Sequence, residues 1–302
     1  MVVLLFYIFI IDRPSVKIDA AFLKEQQPQQ MLKYGLLLSF AALSSLGLKY
    51  LDVVMLGKFV PLAMVGIYSI AAFIPTVIEA PLGALEKIGV AKIADSWARN
   101  KMDDIREIYF KSSKYLFLIG GLLFLGINLN IESLLAMMPD KDFTLGKNVV
   151  LIISIGTLIN MATGINDSIV YTSEKYIYGT YMLMVLFIVA IINNLVFIPL
   201  YGINGAALAT ALSAFVFNAL KFIFIKWNFN LQPFTKHTLF VIFNIVVCWL
   251  AVFRIPHFSN NLMDIVLRSI IITILYLSIT YLLRIVPEFH HFLPWHKREN
   301  NG

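Results

Sequence analysis

The chain has 302 residues, 59% of them apolar and 14% charged, with one cysteine and a formal net charge of +6. Soluble domains carry about 25% charged residues, and this much apolar surface cannot be buried in one soluble core of this length. The 24 Phe, 13 Tyr and 4 Trp exclude a disordered chain, and the lone Cys248 excludes a disulfide-stapled secreted domain, which leaves an integral membrane protein.

Met1–Ile11 is an apolar run too short to span a bilayer, and it ends in Asp12-Arg13-Pro14. No basic residue precedes it and no small-residue cleavage site follows, so it reads as the end of a truncated transmembrane helix rather than a signal peptide. A linker at 12–30 leads to the membrane spans, and a polar tail at 287–302 follows them. A spanning helix needs about 20 apolar residues. Eight segments meet this, at 34–56, 62–85, 115–138, 148–170, 177–199, 203–227, 237–255 and 264–286. They are too long for barrel strands, which run about ten residues with strict alternation. The expected fold class is all-α, a polytopic transmembrane helical bundle with eight full spans.

Ionisable side chains at membrane depth cost about 2.5 kcal/mol or more and usually face the bundle interior or water. In span 34–56, Ala42, Ser45, Lys49 and Asp52 share one helical face, and Lys49 and Asp52 are spaced to pair at i, i+3 or to reach the interface. In span 62–85, Tyr68, Ala72, Pro75, Glu79 and Leu82 form a stripe. Pro75 and Pro81 bracket Glu79, so a bend around this acid is expected. It reads either as a gating or proton-carrying group or as a structural acid near the boundary.

The segment 86–114 mixes apolar and basic residues and fits either an interfacial helix or a solvated helical linker. In span 148–170, Gly156, Asn160, Thr163 and Asp167 make a continuous polar stripe that either bonds to neighbouring helices or lines a cavity. Span 203–227 carries Ala207, Ala211, Ala214, Asn218 and Lys221 on one face, which reads as a packing surface. His237, Val241, Asn244 and Cys248 are one face of the seventh span, without a metal-ligand pattern. Glu132 and Arg268 are expected to reach the far interface.

Of the 24 Lys and Arg, 18 fall on one side of the spans and six on the other. The richer side includes 86–114 and the tail, and the positive-inside rule makes it cytoplasmic. The basic charge is thus explained by topology and lipid contact rather than nucleic acid. No Gly-rich phosphate loop, metal-ligand His or Cys pair, or Gly-x-Ser-x-Gly elbow is present, so neither an enzyme nor a cofactor or metal is indicated. Buried polar groups with helix-breaking prolines point to a transporter.

Two strings carry a family resemblance. Leu51-Asp52-Val53-Val54-Met55-Leu56-Gly57 is followed by Val65-Gly66-Ile67-Tyr68-Ser69-Ile70-Ala71. Downstream lies Ile198-Pro199-Leu200-Tyr201-Gly202-Ile203-Asn204-Gly205-Ala206-Ala207-Leu208-Ala209-Thr210, the more specific of the two. Over residues 1–286 the chain resembles the C-terminal portion of bacterial lipid-linked oligosaccharide (O-antigen or polysaccharide) flippases. These belong to the multidrug/oligosaccharidyl-lipid/polysaccharide superfamily.

The resemblance implies a MATE-like second lobe of six helices at 31–230 plus two additional helices at 231–286, with the N-terminal lobe absent. It further implies an inner-membrane protein with a cytoplasmic C-terminus that moves a polyprenyl-pyrophosphate-linked oligosaccharide by alternating access. Its partners would be the bilayer, this substrate, and a missing N-terminal lobe or glycan-assembly proteins. If that activity is retained, Lys49 is the expected anion contact, oriented by Asp52. Asn160 joins them in the cavity, Glu79 and Asp167 are the coupling or gating acids, and Pro75 and Pro81 the gating prolines. A cation-coupled multidrug and toxin extrusion-type antiporter and an inactive truncated remnant are the alternatives. A glycan polymerase would need a larger periplasmic loop than Pro139–Lys147.

Overall fold

A computed structural model describes residues 28–138, 141–256 and 260–286, with some side chains in 28–49 and that of Lys141 left out. The expected stub 1–11, most of the linker 12–30 and the tail 287–302 therefore lie outside the described residues. So does the side chain of Lys49. The chain divides into two units, Met1–Leu43 and Ser44–Gly302, and the apolar cores and the cavities belong to the second.

The described residues are helical throughout, without a strand. In chain order the helices are α1 (Pro28–Phe59), α2 (Leu62–Phe73), α3 (Thr76–Ala98), α4 (Met102–Asn128) and α5 (Ile131–Ala136). A 3-10 turn over Lys141–Gly146 leads to α6 (Lys147–Ala162), α7 (Asn166–Thr172), α8 (Tyr176–Phe229), α9 (Lys236–Phe253) and α10 (Asn261–Leu282). Among the described residues five helices are long and apolar enough to cross a membrane, or six spans if the bent pair α2–α3 counts as one, fewer than the eight expected. Two of them, 177–199 and 203–227, fall within the 54 residues of α8, and 34–56 falls in α1.

Backbone chemistry sets the breaks. Within α8, Pro199 lacks an N–H and Gly202 adopts φ 56°, ψ −130°, a conformation open to glycine but not to residues with a Cβ. The turn between α3 and α4 uses Asn100 at φ 55°, with Lys101 N–H donating to Ser96 C=O at 2.9 Å, a Schellman-type closure. Asp103 and Asp104 then occupy the first turn of α4, where the helix dipole favours acids. Thr235 and Thr238 form a capping box at the start of α9, and Asn260 accepts from two N–H groups at the start of α10.

Three expectations change here. The segment 86–114 is not one separate interfacial helix, because α3 and α4 extend through it and meet at the Asn100 turn. Their inner faces bury Ile93 and Ile105 completely, and burial against the neighbouring helix stabilises the extensions. Second, the stripe over 148–170 is not on one continuous helix. The chain leaves the helix at Thr163, passes through Gly164 at φ 65°, and restarts at Asn166. Third, Arg268 does not reach an interface. It is 2% exposed, donates to Asp264 Oδ1 at 2.9 Å and to Ile255 C=O at 2.6 Å, and Ser133 donates to the other Asp264 oxygen. Glu132 pairs with Lys147 and stays half-exposed.

Two apolar clusters hold the bundle. One joins α3, α4, α6, α9 and α10 around Ile93, Leu125, Met161, Val252 and Tyr276. Tyr276 donates to Leu118 C=O at 2.9 Å, and Asn244 donates to Tyr276 C=O and Thr280, so the polar face of α9 serves helix packing. The other cluster joins α2, α5, α6 and α8 around Tyr68, Leu135, Val150 and Ala207. Large apolar side chains stand outward, among them Val54 at 72% and Leu282 at 75% exposure. An outer surface so apolar is compatible with a multi-pass membrane protein.

Candidate functional site

Polar residues of the second unit converge on one cavity of about 420 Å³. Its walls come from α1 (Asp52), α3 (Glu79), α6 (Gly156, Asn160), α7 (Asp167) and both halves of α8 (Ala190, Thr210, Asn218, Lys221). The bend between α2 and α3, 46° at Ile74–Pro75, brings Glu79 to the cavity in the first turn of α3. A carboxylate there complements the positive end of the helix dipole.

Asp52 is a hub. Its Oδ2 accepts from Tyr68 Oη at 2.9 Å and from Thr210, and its Oδ1 accepts from Asn194 Nδ2 at 2.8 Å. Three helices, α1, α2 and α8, are thus tied through one carboxylate. Glu79 Oε1 accepts from Asn160 Nδ2 at 2.6 Å, joining α3 to α6.

At the other end, Lys221 Nζ lies 2.9 Å from Asp167 Oδ2 and 4.1 Å from the centre of the Phe217 ring. Its side chain is 2% exposed and that of Asp167 35%. Asp167 Oδ1 accepts no hydrogen bond from the described residues. Asn218 Oδ1 takes donors from both sides of the α6–α7 break, Thr163 Oγ1 at 3.0 Å and Asn166 Nδ2 at 3.2 Å.

The structure therefore brings together five sequence-derived candidates: Asp52, Pro75, Glu79, Asn160 and Asp167. Pro81 is not among them. It lies inside α3 and lines a different groove, so only Pro75 accompanies the bend. The expected partner of Asp52, Lys49, has its side chain outside the described residues; the carboxylate is held by Tyr68, Asn194 and Thr210. Residues of the stripe Gly156–Asp167 both bond to neighbouring helices and line the cavity: Asn160 donates to Glu79 and Thr163 to Asn218, while Gly156, Asn160 and Asp167 stand in the wall.

Lys221, whose spacing predicts a place on a packing face, is instead the cation of the site. It stands beside the small residues Ala211 and Ala214, which leave room for the cavity. A lysine aligned with a polar Asn218 on an apolar helix is the signal for it in the sequence. Asn194, beside Asn193, and Thr210, three residues before Ser213, give none, because nothing in their spacing links them to Asp52. Among the described residues the wall carries the carboxylates of Asp52, Glu79 and Asp167 and the ammonium of Lys221, and the neighbouring amides and hydroxyls supply further donors and acceptors. Among the described residues no group of His, Cys, Asp and Glu could hold a metal ion. No protein-family model and no curated protein matches the chain.

Proposed function

We propose that the chain is a polysaccharide-export membrane transporter. In this reading it moves a polyprenyl-pyrophosphate-linked oligosaccharide across the bacterial inner membrane by alternating access. Its eight spans would form a MATE-like second lobe and an added helix pair, with the C-terminus in the cytoplasm. The observation that carries the proposal is the polar cavity inside an otherwise apolar bundle. Desolvated polar groups are costly at membrane depth and persist where cargo or water meets them. The volume lies within the usual range of ligand sites, about 300–1,000 Å³.

The lining suits the two parts of such a substrate differently. Sugar hydroxyls are donors and acceptors at once, and the carboxylates, amides and Thr210 offer both complements. Asp167, a third exposed, lines the wall with a carboxylate whose Oδ2 is held by Lys221. Lys221 supplies positive charge for a pyrophosphate, and its attraction strengthens where water is scarce. The breaks at Pro75, Gly164 and Gly202 fall at the ends of the helices that line the cavity, and gating segments use such discontinuities.

The acids Asp52, Glu79 and Asp167 in the cavity wall favour a second reading, a cation-coupled antiporter. One reconstitution separates the two. The full chain is placed in vesicles holding a fluorescent polyprenyl-pyrophosphate oligosaccharide, and capture by an external lectin is timed. Translocation above that of protein-free vesicles, lost in Lys221→Met, is expected. No gain over empty vesicles, together with dye efflux driven by a sodium or proton gradient, would replace the flippase reading by the antiporter.

A further inference from the structure

A second concavity, of about 550 Å³, lies between α3 and α4 and is separate from the polar cavity. On α3 its wall includes Pro81, Leu85, Ile88 and Lys92; on α4 it includes Ile108, Lys111, Tyr115 and Ile119. Both sets advance by three or four residues, one face of each helix. Ile165 forms the floor, and it fits because Gly89 has no Cβ, which would come within 2.9 Å of Ile165 Cδ1. From Pro81 to Lys92 the groove runs roughly 16 Å at the rise of an α-helix. Its lips carry exposed apolar side chains, Ile88 at 75% and Ile119 at 45%.

The charge is confined to one end. Because α3 and α4 are antiparallel about the Asn100 turn, Lys92 and Lys111 fall together at the turn end of the groove. Lys111 shares its charge with Glu107, whose Oε1 is 2.6 Å away. The mouth therefore carries about one net positive charge. Ser112, also on the wall, donates its hydroxyl to Tyr109 C=O, so that donor is already taken within α4.

We propose that this groove binds an anionic phospholipid, with an acyl chain along the apolar wall and the headgroup phosphate at Lys92 and Lys111. The inference rests on the bilayer placement of the helices and not on the transport reading. Lipid tails fill any apolar furrow in a membrane, so selectivity comes from the phosphate and the net charge at the mouth. Basic pockets between helix ends at the membrane surface have this character. An extended peptide would need backbone donors and acceptors that the aliphatic wall does not offer.

The test uses the full chain, purified and equilibrated with equal amounts of phosphatidylglycerol and phosphatidylcholine, with retained lipids counted by native mass spectrometry. Phosphatidylglycerol is expected to be retained about fivefold over phosphatidylcholine, the worth of one net charge near a membrane surface. The ratio falls below parity in K92Q/K111Q, whose exposed side chains leave folding unaffected and whose mouth keeps only the charge of Glu107. Ala84→Leu, which fills the groove, lowers retention of both lipids. Equal retention by the native chain, an unchanged ratio in K92Q/K111Q, or full retention in Ala84→Leu overturns the proposal. So does a self-cross-link through Ile88→Cys in lipid-depleted protein, which assigns the groove to a second copy. Lysine variants that lose the lipid ratio but keep oligosaccharide translocation, or the reverse, tell the two readings apart.

Discussion

Lys221 is buried to 2% exposure, while Asp167, its partner at 2.9 Å, keeps a third of its side chain exposed. A lysine so placed exchanges hydration for one carboxylate and the Phe217 ring face. Removing the carboxylate leaves the ammonium desolvated. Lys221→Met is the milder change, since the exposed side of Asp167 remains hydrated. We expect Asp167→Ala to cost about 1–3 kcal/mol and Lys221→Met less, with the double variant closer to the milder single one. A double-mutant cycle on thermal unfolding in detergent measures this, and additive effects would show that the pair is not coupled. The Asp264–Arg268 pair sets the stronger case, both partners being buried. Asp264→Ala leaves a guanidinium with no carboxylate and should cost about 3–5 kcal/mol, whereas the paired replacement Asp264→Leu/Arg268→Met should cost far less. Similar losses in the two variants would mean that the cost lies in packing and not in charge.

Among the elements, α8 shows how local chemistry fixes a shape. Pro199 removes a donor and Gly202 takes a backbone conformation closed to side chains, so the run is interrupted at this point. The interruption folds the following turn back so closely that a Cβ on Gly205 would sit 1.9 Å from Phe197 O. Gly202→Ala should therefore cost about 1–3 kcal/mol through backbone strain. Gly205→Ala should cost more, because backbone and not a movable side chain stands in the way. The order of melting temperatures in detergent, native above Gly202→Ala above Gly205→Ala, checks it.

These breaks are readable in part from the sequence. Proline and glycine announce themselves, and Pro75 and Gly202 mark two discontinuities beside the cavity. The α6–α7 break is hidden, since Gly164 sits among residues whose polar spacing suits one continuous helix. Site contacts are legible only where they follow helix periodicity. Periodicity places side chains on a face but says nothing of which face meets it. Asp52 finds Asn194 and Thr210 at separations of 142 and 158 residues, beyond the reach of any spacing rule. For the same reason Lys221 reads with its own helix, as packing, although its partner lies 54 residues away on α7.

Over the whole second unit, helix direction sorts the connections into two ends. The α3–α4 turn at Asn100, the α7–α8 connection at Lys175 and the end of α8 at Asn228 share one end, where Lys175 Nζ donates to Asn228 Oδ1 at 2.6 Å. The end of α9, the start of α10 and the start of α6 share the other, where Lys147 pairs with Glu132 and lines a small cavity with Phe253 and Arg268. Lys87, Lys92, Arg99, Lys101, Arg106 and Lys111 flank the Asn100 turn, an excess that the positive-inside rule assigns to the cytoplasm.

Cysteine labelling tests this orientation directly. The native Cys248 is buried, donates to Asn244 Oδ1 and can be replaced by Ser to give a silent background. In that background Asn100→Cys should react with a membrane-impermeant maleimide in inside-out vesicles and stay unlabelled in intact spheroplasts. Asn260→Cys, on the opposite end, should do the reverse. Both positions lie in turns at helix ends, so reagent access depends on sidedness and not on unfolding. The opposite pattern would invert the bundle, place the Lys92–Lys111 end of the α3–α4 groove outside, and remove the ground for a cytoplasmic C-terminus. Labelling of both cysteines from the same side would instead contradict the antiparallel course of α4, α6, α9 and α10 through the bilayer.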